Sequence, residues 1–326
     1  MSSLTPSPSA GSASASGAST NQFGRVCTLL VSNKAGQALD LSALRIKFSV
    51  KKSGVMTPNV ADIMVYNVDN STVELIKKEF TRVILQGGYV GNYGVIFEGN
   101  VKQVITGKES ATTSFINIVA GDGDLAYNYA IVNKTLAKGS SQADQLNAAT
   151  SAMSEKGVGT GYVGQLPATK LPRGKAMYGN ARQYVKTLAD THGFTWSIQD
   201  GKMVFISQGT YLPGEAVVLT SKTGMIGTPQ QTTEGIMCKA LLNPKLKCHG
   251  RVKIDNKSVQ QYKINFAVPG SPANTPVPLT NDGVYYILVA EHSGDTRGTE
   301  WYTTLQMLNI DPSSNPLNSV QVGYGS

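Results

Sequence analysis

The cleanest polar–apolar alternation lies at Leu44–Val50. Leu44, Ile46, Phe48 and Val50 fall on one face, and Arg45, Lys47 and Ser49 on the other. A period of two predicts a half-buried strand. Further apolar runs at Phe23–Ser32, Asp62–Val68, Arg82–Gln86, Val90–Gly99, Val101–Ile105 and Thr112–Ala120 predict more strands. The last of these does not alternate simply. Phe115, Asn117 and Val119 share one face and Ile116 and Ile118 the other, the pattern of a strand covered on both sides. One helix interrupts the series: Ser71–Glu74 reads as a capping box, followed by Val73, Ile76 and Phe80 on one face with Leu75 at its border. Residues 23–125 therefore read as an N-terminal β domain, closed as a barrel or sandwich.

The period then changes to that of a helix. Ser141 and Asp144 form a second capping signature, and Leu146, Ala149 and Met153 follow at helical spacing. Asn180–His192 predicts another helix, with Tyr184, Val185 and Leu188 inward and Gly193 just past its end. Phe194, Trp196 and Ile198 alternate, Asp200-Gly201 supplies a two-residue turn, and Met203 and Phe205 answer on a return strand. Residues 126–212 read as a smaller α+β middle domain.

Ala216–Leu219, Gly235–Leu242 and Leu246–Ile254 predict three strands, punctuated by Gly224, Gly227, Pro229 and Asn243-Pro244. A strand at Val259–Ala267 and a loop at Pro269–Pro278 follow. Gly283–Glu291 and Glu300–Asn309 then pair around Ser293–Gly298. Residues 213–326 form a second β domain ending in the polar tail Asp311–Ser326. Residues 1–22 are an arm of Ser, Ala, Gly, Pro and Thr. Past Met1 its one large aliphatic is Leu4, too little apolar area to offset the entropy of ordering it.

Composition adds an assembly flavour. Only 15% of the 326 residues are charged and 34 are glycine, which suits a β protein with much of its surface covered by neighbours. The net charge of +8 favours acidic partners. The basic residues clustered at Lys239–Lys263 have no aromatics interleaved in a stacking pattern, so no sequence-specific nucleic-acid binding is expected. Cys27, Cys238 and Cys248 make neither a disulfide framework nor a zinc site, although Cys238 and Cys248 could pair across strands. No run is long enough to span a membrane, and the N-terminus lacks the basic and apolar regions of a signal peptide.

Chemistry is sparse. The glycine run Gly157–Gly164 follows a helix rather than a strand and reads as a surface loop, not a phosphate loop. Gly121–Asp124 reads as a tight turn, since it lacks the other ligands of a calcium loop. His192, His249 and His292 have no zinc-ligand spacing, and no nucleophile elbow is present. Glu98, Asp122, Glu234 and Glu291 are the acids open to a paired-carboxylate hydrolase. No catalytic set, cofactor or metal is expected.

Several runs carry a family resemblance. Leu219–Pro229, Glu234-Gly235-Ile236 and Leu241–Pro244 look like the baseplate hub proteins of contractile-tailed bacteriophages. So do Pro58-Asn59 through Val68, Gln86–Tyr89 and Ile96–Gly99. The resemblance covers Phe23 to Asp311 in the family's order. It implies two tube-like β-barrel domains flanking the middle domain, and a structural role in the virion tail, assembled in the host cytoplasm. It implies a homotrimeric ring that adapts a hexameric tail tube to a trimeric central spike, with the arm as a tether to other baseplate proteins. The loops Gly87-Gly88-Tyr89 and Gly224, Met225, Ile226, Gly227 and Pro229 are then candidate contact regions. A cell-surface or carbohydrate-binding β protein and a tail-associated cell-wall hydrolase are the alternatives.

Overall fold

The structure is a computed structural model that describes residues 23–33, 35–261, 278–280 and 282–310. Its first part carries β1 (Arg25–Asn33), β2 (Ala38–Asp40), β3 (Ile46–Ser53), β4 (Val60–Tyr66), α1 (Asn70–Glu79), β5 (Phe80–Tyr89), β6 (Asn92–Lys108) and β7 (Ser114–Gly121). The middle part carries α2 (Asp124–Tyr129), β8 (Ile131–Leu136), α3 (Gln142–Ser154), β9 (Gly159–Val163), β10 (Lys175–Asn180), α4 (Ala181–His192), β11 (Phe194–Gln199) and β12 (Lys202–Ser207). The last part carries β13 (Val217–Leu219), β14 (Met225–Thr232), β15 (Gly235–Leu241), β16 (Arg251–Ile254), β17 (Val284–Asp295) and β18 (Trp301–Asn309). The fold is mainly β with an α+β insert, as the periodicities predict.

The two β parts are not two closed barrels. Their strands merge into one sheet in the order β14-β15-β18-β17-β3-β4-β7-β6-β5-β1-β2, with β13 and β16 attached beside β17. The fusion happens at β17. Its first residues pair with β16. Beyond an irregularity between Ile287 and Val289, residues Val289–Asp295 pair with β3. A polar–apolar period says which face of a strand is buried but not which strand lies beside it. The corner was therefore invisible in the sequence.

Three main cores follow. The first joins β1 and β3–β7 and includes Leu242 and Trp301 from the last part. The second, in the insert, packs α3 and α4 with Phe194, Trp196, Ile198, Met203 and Phe205 of the β11–β12 hairpin. The third lies under β15–β18 and holds Cys238 and Cys248, both free thiols.

Local signals succeeded best in the insert. Ser141 and Asp144 make the reciprocal capping box that opens α3. Asn180 caps α4, and Gly193 ends it at φ +69°. Gln199 faces Lys202 across a two-residue turn in which Asp200 and Gly201 both have positive φ.

Several expectations need correction. Asp69, not Ser71, caps α1, because its carboxylate accepts from Ser71 N. Gly87-Gly88-Tyr89 is no turn but the buried end of β5, and the chain reverses at Val90-Gly91. The strands predicted at Val90–Gly99 and Val101–Ile105 merge into one, β6, which begins at Asn92. In β7 only the face of Ile116, Ile118 and Ala120 is fully buried. The glycine run contains β9, which pairs parallel to β12, where a side chain at Gly161 would come within 2.8 Å of Met203 O. The strand predicted at Leu246–Ile254 shrinks to Arg251–Ile254, because turns at Asn243–Gly250 consume the rest. Ser293–Asp295 continues β17 rather than forming the loop. The arm, most of the Val259–Ala267 and Pro269–Pro278 segments, and the tail lie outside the described residues.

Candidate functional site

The runs that carry the resemblance meet in space. Gly87 lies where a side chain would touch Ile96 at 3.1 Å and Leu242 at 3.3 Å. Gly94, opposite it on β6, faces Pro244. At Gly88, φ is +148° and an added Cβ would sit 2.3 Å from Asn92 O, so only glycine fits. Its carbonyl accepts the indole N–H of Trp301 at 3.1 Å. Trp301 comes from β18, is fully buried, and meets Phe48 of β3 edge to face at 5.4 Å. The Gly87–Tyr89 segment is thus an internal seat for the Leu242–Pro244 turn and Trp301.

Charge reinforces this clasp at its rim. Arg25 of β1 donates to Gly298 O at 2.6 Å and Thr299 O at 3.1 Å in the β17–β18 turn. Arg45 pairs with Asp295 at 2.7 Å, and its guanidinium holds that carboxyl below the ordinary range. The aspartate is largely buried while the arginine is half-exposed.

The second candidate region lies at the sheet's end. Met225 and Ile226 are half-buried on β14, the terminal strand of the order, and Gly224 and Pro229 are buried. Pairing skips from Ile226↔Lys239 to Gln230↔Met237, so Gly227, Thr228 and Pro229 bulge opposite Cys238. Gly227 takes φ +69°, and Pro229 has no N–H to offer. A bulge with glycine and proline is a usual way to limit uncontrolled edge pairing.

A third site was not anticipated. The Asp200-Gly201 turn of the insert plugs into the β body. Asp122 there is fully buried and accepts from Asp200 N at 2.7 Å and Gly201 N at 2.8 Å. Asn59 bridges by donating to Ile198 O at 2.8 Å. Lys52, buried on β3, pairs with the Asp200 carboxylate, and Lys247 approaches that carboxylate at 3.2 Å. Burial pushes the Asp122 carboxyl up to about 6, against the pull of the Gly201 N–H and Lys52. Burial also works against ionised Asp200, but Lys52 and Lys247 outweigh it and hold that group below the ordinary carboxylate range. One sequence signal existed: a lysine at an inward position of the β3 alternation. Its partner, 148 residues away, left no local trace.

The residues weighed for catalysis are dispersed. Glu98 pairs with Arg82 near the Asp200-Gly201 turn, Asp122 is committed to the junction, Glu234 lies in the β14–β15 turn, and Glu291 is exposed on β17. His249 and His292 are buried, and burial lowers them to about 4 and about 3. His292 shares a 3.0 Å hydrogen bond with Thr303. His192 ends α4. Burial pushes Cys27 and Cys248 up to about 12 and Cys238 to about 11, the opposite of an activated thiolate. Among the described residues, no three His, Cys, Asp or Glu side chains group as a metal set, and no helix is long and apolar enough to cross a membrane.

No protein-family model matches the sequence, and no curated protein does. Solved structures do match. The 43 kDa tail protein of prophage MuSo2 from Shewanella oneidensis aligns over 89% of this chain and 100% of its own, with TM-score 0.54 and 8% identity. The chain has the fold of phage tail proteins. A tail protein from Neisseria meningitidis MC58 aligns over 88% of this chain and 97% of its own, with TM-score 0.55 and 9% identity. The E. coli c3393 protein, a type VI secretion component with structural similarity to the T4 tail proteins gp27 and gp5, aligns over 82% of this chain and 74% of its own, with TM-score 0.50 and 10% identity. The tail-protein fold therefore runs through the β body and the insert alike.

Proposed function

We propose that this chain is a structural hub protein of a phage tail baseplate. Three copies form a ring that adapts a hexameric tail tube to a trimeric central spike. The observation that carries this reading is the agreement of fold over nearly the whole of two tail proteins, one of them from a prophage, insert included. The clasp and the junction support it, because a ring subunit must hold its parts at fixed angles to close without gaps. The bulged β14 strand, whose backbone also bridges to Gln260, and the β2 end of the described sheet are the surfaces assigned to neighbouring copies, with Gly224–Pro229 at the contact. Gly87–Tyr89 serves that contact from within, by fixing the Leu242–Pro244 turn. The domain limits 23–125, 126–212 and 213–326 belong to the same proposal, with residues 1–22 as a tether to other baseplate proteins. The role is non-enzymatic, in the virion tail, after assembly in the host cytoplasm.

Native mass spectrometry of the purified chain, alone and mixed with the spike protein of the same particle, tests this reading. A trimer in either state is expected. A monomer in both at high concentration contradicts it.

One observation favours a second reading, a cell-surface or carbohydrate-binding protein. Tyr178 is 78% exposed on the β8–β10 ribbon, with Ile131 on the same face and exposed Tyr129 beside it. Glycan-array binding by the isolated monomer would favour that reading over the hub.

A further inference from the structure

A cleft of about 400 Å³ separates the β3–β4 loop from the insert. One wall is Val55 and Met56 of that loop; the other is Tyr127, Arg182, Lys186 and Trp196. This size suits two side chains of a bound segment rather than a large cofactor.

Three features of the insert wall point to the occupant. Trp196 is only 3% exposed, and its indole N–H, a group that can only donate, has no hydrogen-bond partner. The other tryptophan, Trp301, has its N–H satisfied inside the protein. Tyr127 stacks on Trp196 at 6.1 Å, and the Arg182 guanidinium lies 4.5 Å over the Tyr127 ring, which makes a three-tier stack ending in a cation. Lys186, one turn further along α4, adds a second positive charge. Its 3.3 Å pair with Asp190 is solvent-exposed and holds it only weakly. Arg182 spends one donor on Asn128 Oδ1 at 3.2 Å and keeps the others. None of the lining residues carries a carboxylate. The cleft is thus rich in donors and positive charge, with an apolar wall opposite.

We propose that this cleft docks an acidic peptide segment of a partner protein: a carboxylate side chain meets Arg182 and Lys186 beside the Tyr127–Trp196 stack, while an adjacent aliphatic side chain packs on Val55 and Met56. A carboxylate supplies the negative charge and the acceptor oxygens that the two cations favour, and binding next to the stack changes the surroundings of the Trp196 indole. A bound segment bridges the β3–β4 loop and α4, and so braces the insert against the β body. This assignment does not depend on the hub reading and holds for any partner that presents such a segment.

The test uses the full chain labelled with ¹⁵N, whose two indole N–H resonances report Trp196 and Trp301 separately. The probe is the peptide acetyl-Leu-Glu-Leu-Glu-Leu-amide, with its glutamine isostere and sodium acetate as comparisons. The Trp196 resonance is expected to shift saturably with the glutamate peptide while Trp301 stays still. Lys186→Gln, at a half-exposed site, should weaken binding several-fold, and Arg182→Gln with Lys186→Gln at least tenfold. An unmoved Trp301 resonance certifies that the variants remain folded. No saturable Trp196 shift, or an equal shift with the glutamine peptide, overturns the proposal. Acetate saturating the shift as tightly as the peptide overturns it in favour of a small-anion site.

Discussion

Trp301→Ala should break the clasp between the first and last parts of the sheet. The residue is fully buried, meets Phe48 at 5.4 Å, and donates at 3.1 Å to Gly88 O. Truncating a buried aromatic typically costs about 3–5 kcal/mol. The carbonyl left without its donor adds about 1 kcal/mol. Trp301→Phe keeps most of the apolar contact but loses the hydrogen bond, so it should cost about 1–2 kcal/mol. The assay is urea unfolding followed by far-ultraviolet circular dichroism. Tryptophan fluorescence adds a local probe, because the sequence has two tryptophans and either variant leaves Trp196 alone in the core of the insert. The expected order of stability is wild type, then Phe, then Ala, with Ala lower by at least 3 kcal/mol. A loss below about 1 kcal/mol for Trp301→Ala would refute the claim that this indole ties the two parts together.

Further consequences concern backbone, charge and pH. Gly88→Ala places a Cβ against Asn92 O and Tyr93 Cα, so the protein should lose several kcal/mol or fail to accumulate in soluble form, read by soluble yield and thermal melting. Lys52→Met leaves Asp200 beside buried Asp122 without its closest cation and should cost about 3–5 kcal/mol. Hydrogen exchange should then rise first at Asp200 and Gly201, and unchanged protection there would contradict the junction's role. Acid should weaken the fold. His249 and His292 have folded pKa values below the ordinary 6.5, so their contribution is complete above 6.5 and is lost as pH falls toward about 4 and about 3. Asp122, raised to about 6, works the other way and gains stability below that pH. The two histidines lose about 1.6 kcal/mol each between pH 6.5 and 5, because the unfolded imidazole is already half protonated at 6.5, and Asp122 regains about 1.2, which leaves a net loss of about 2 kcal/mol. Equal unfolding midpoints at the two pH values would contradict this balance.

Where the chemistry of a turn or cap is local, the sequence was readable. Asn180, Gly193 and Asp200-Gly201 announced α4 and the β11–β12 hairpin almost to the residue, because each signal acts within a few positions. Gly87-Gly88 misled for a physical reason. A glycine pair usually marks a turn, but here it makes room for a distant turn and an indole. The Gly157–Gly164 run misled likewise, since β9 needs glycine for close approach to β12. The fusion of the two β parts rests on β3 pairing with β17, and the junction on Lys52 meeting Asp200. Both link positions far apart in the chain, and neither leaves a periodicity to read. The unpartnered indole of Trp196 was equally hidden, because alternation marks it only as core.

Cryo-electron microscopy of a tail tip that carries this chain decides whether three subunits close a ring. Three copies in a closed ring are expected, with β14 at each subunit boundary and the spike on one side. A single copy per tip, or a ring whose boundaries leave β14 facing solvent, would contradict that arrangement.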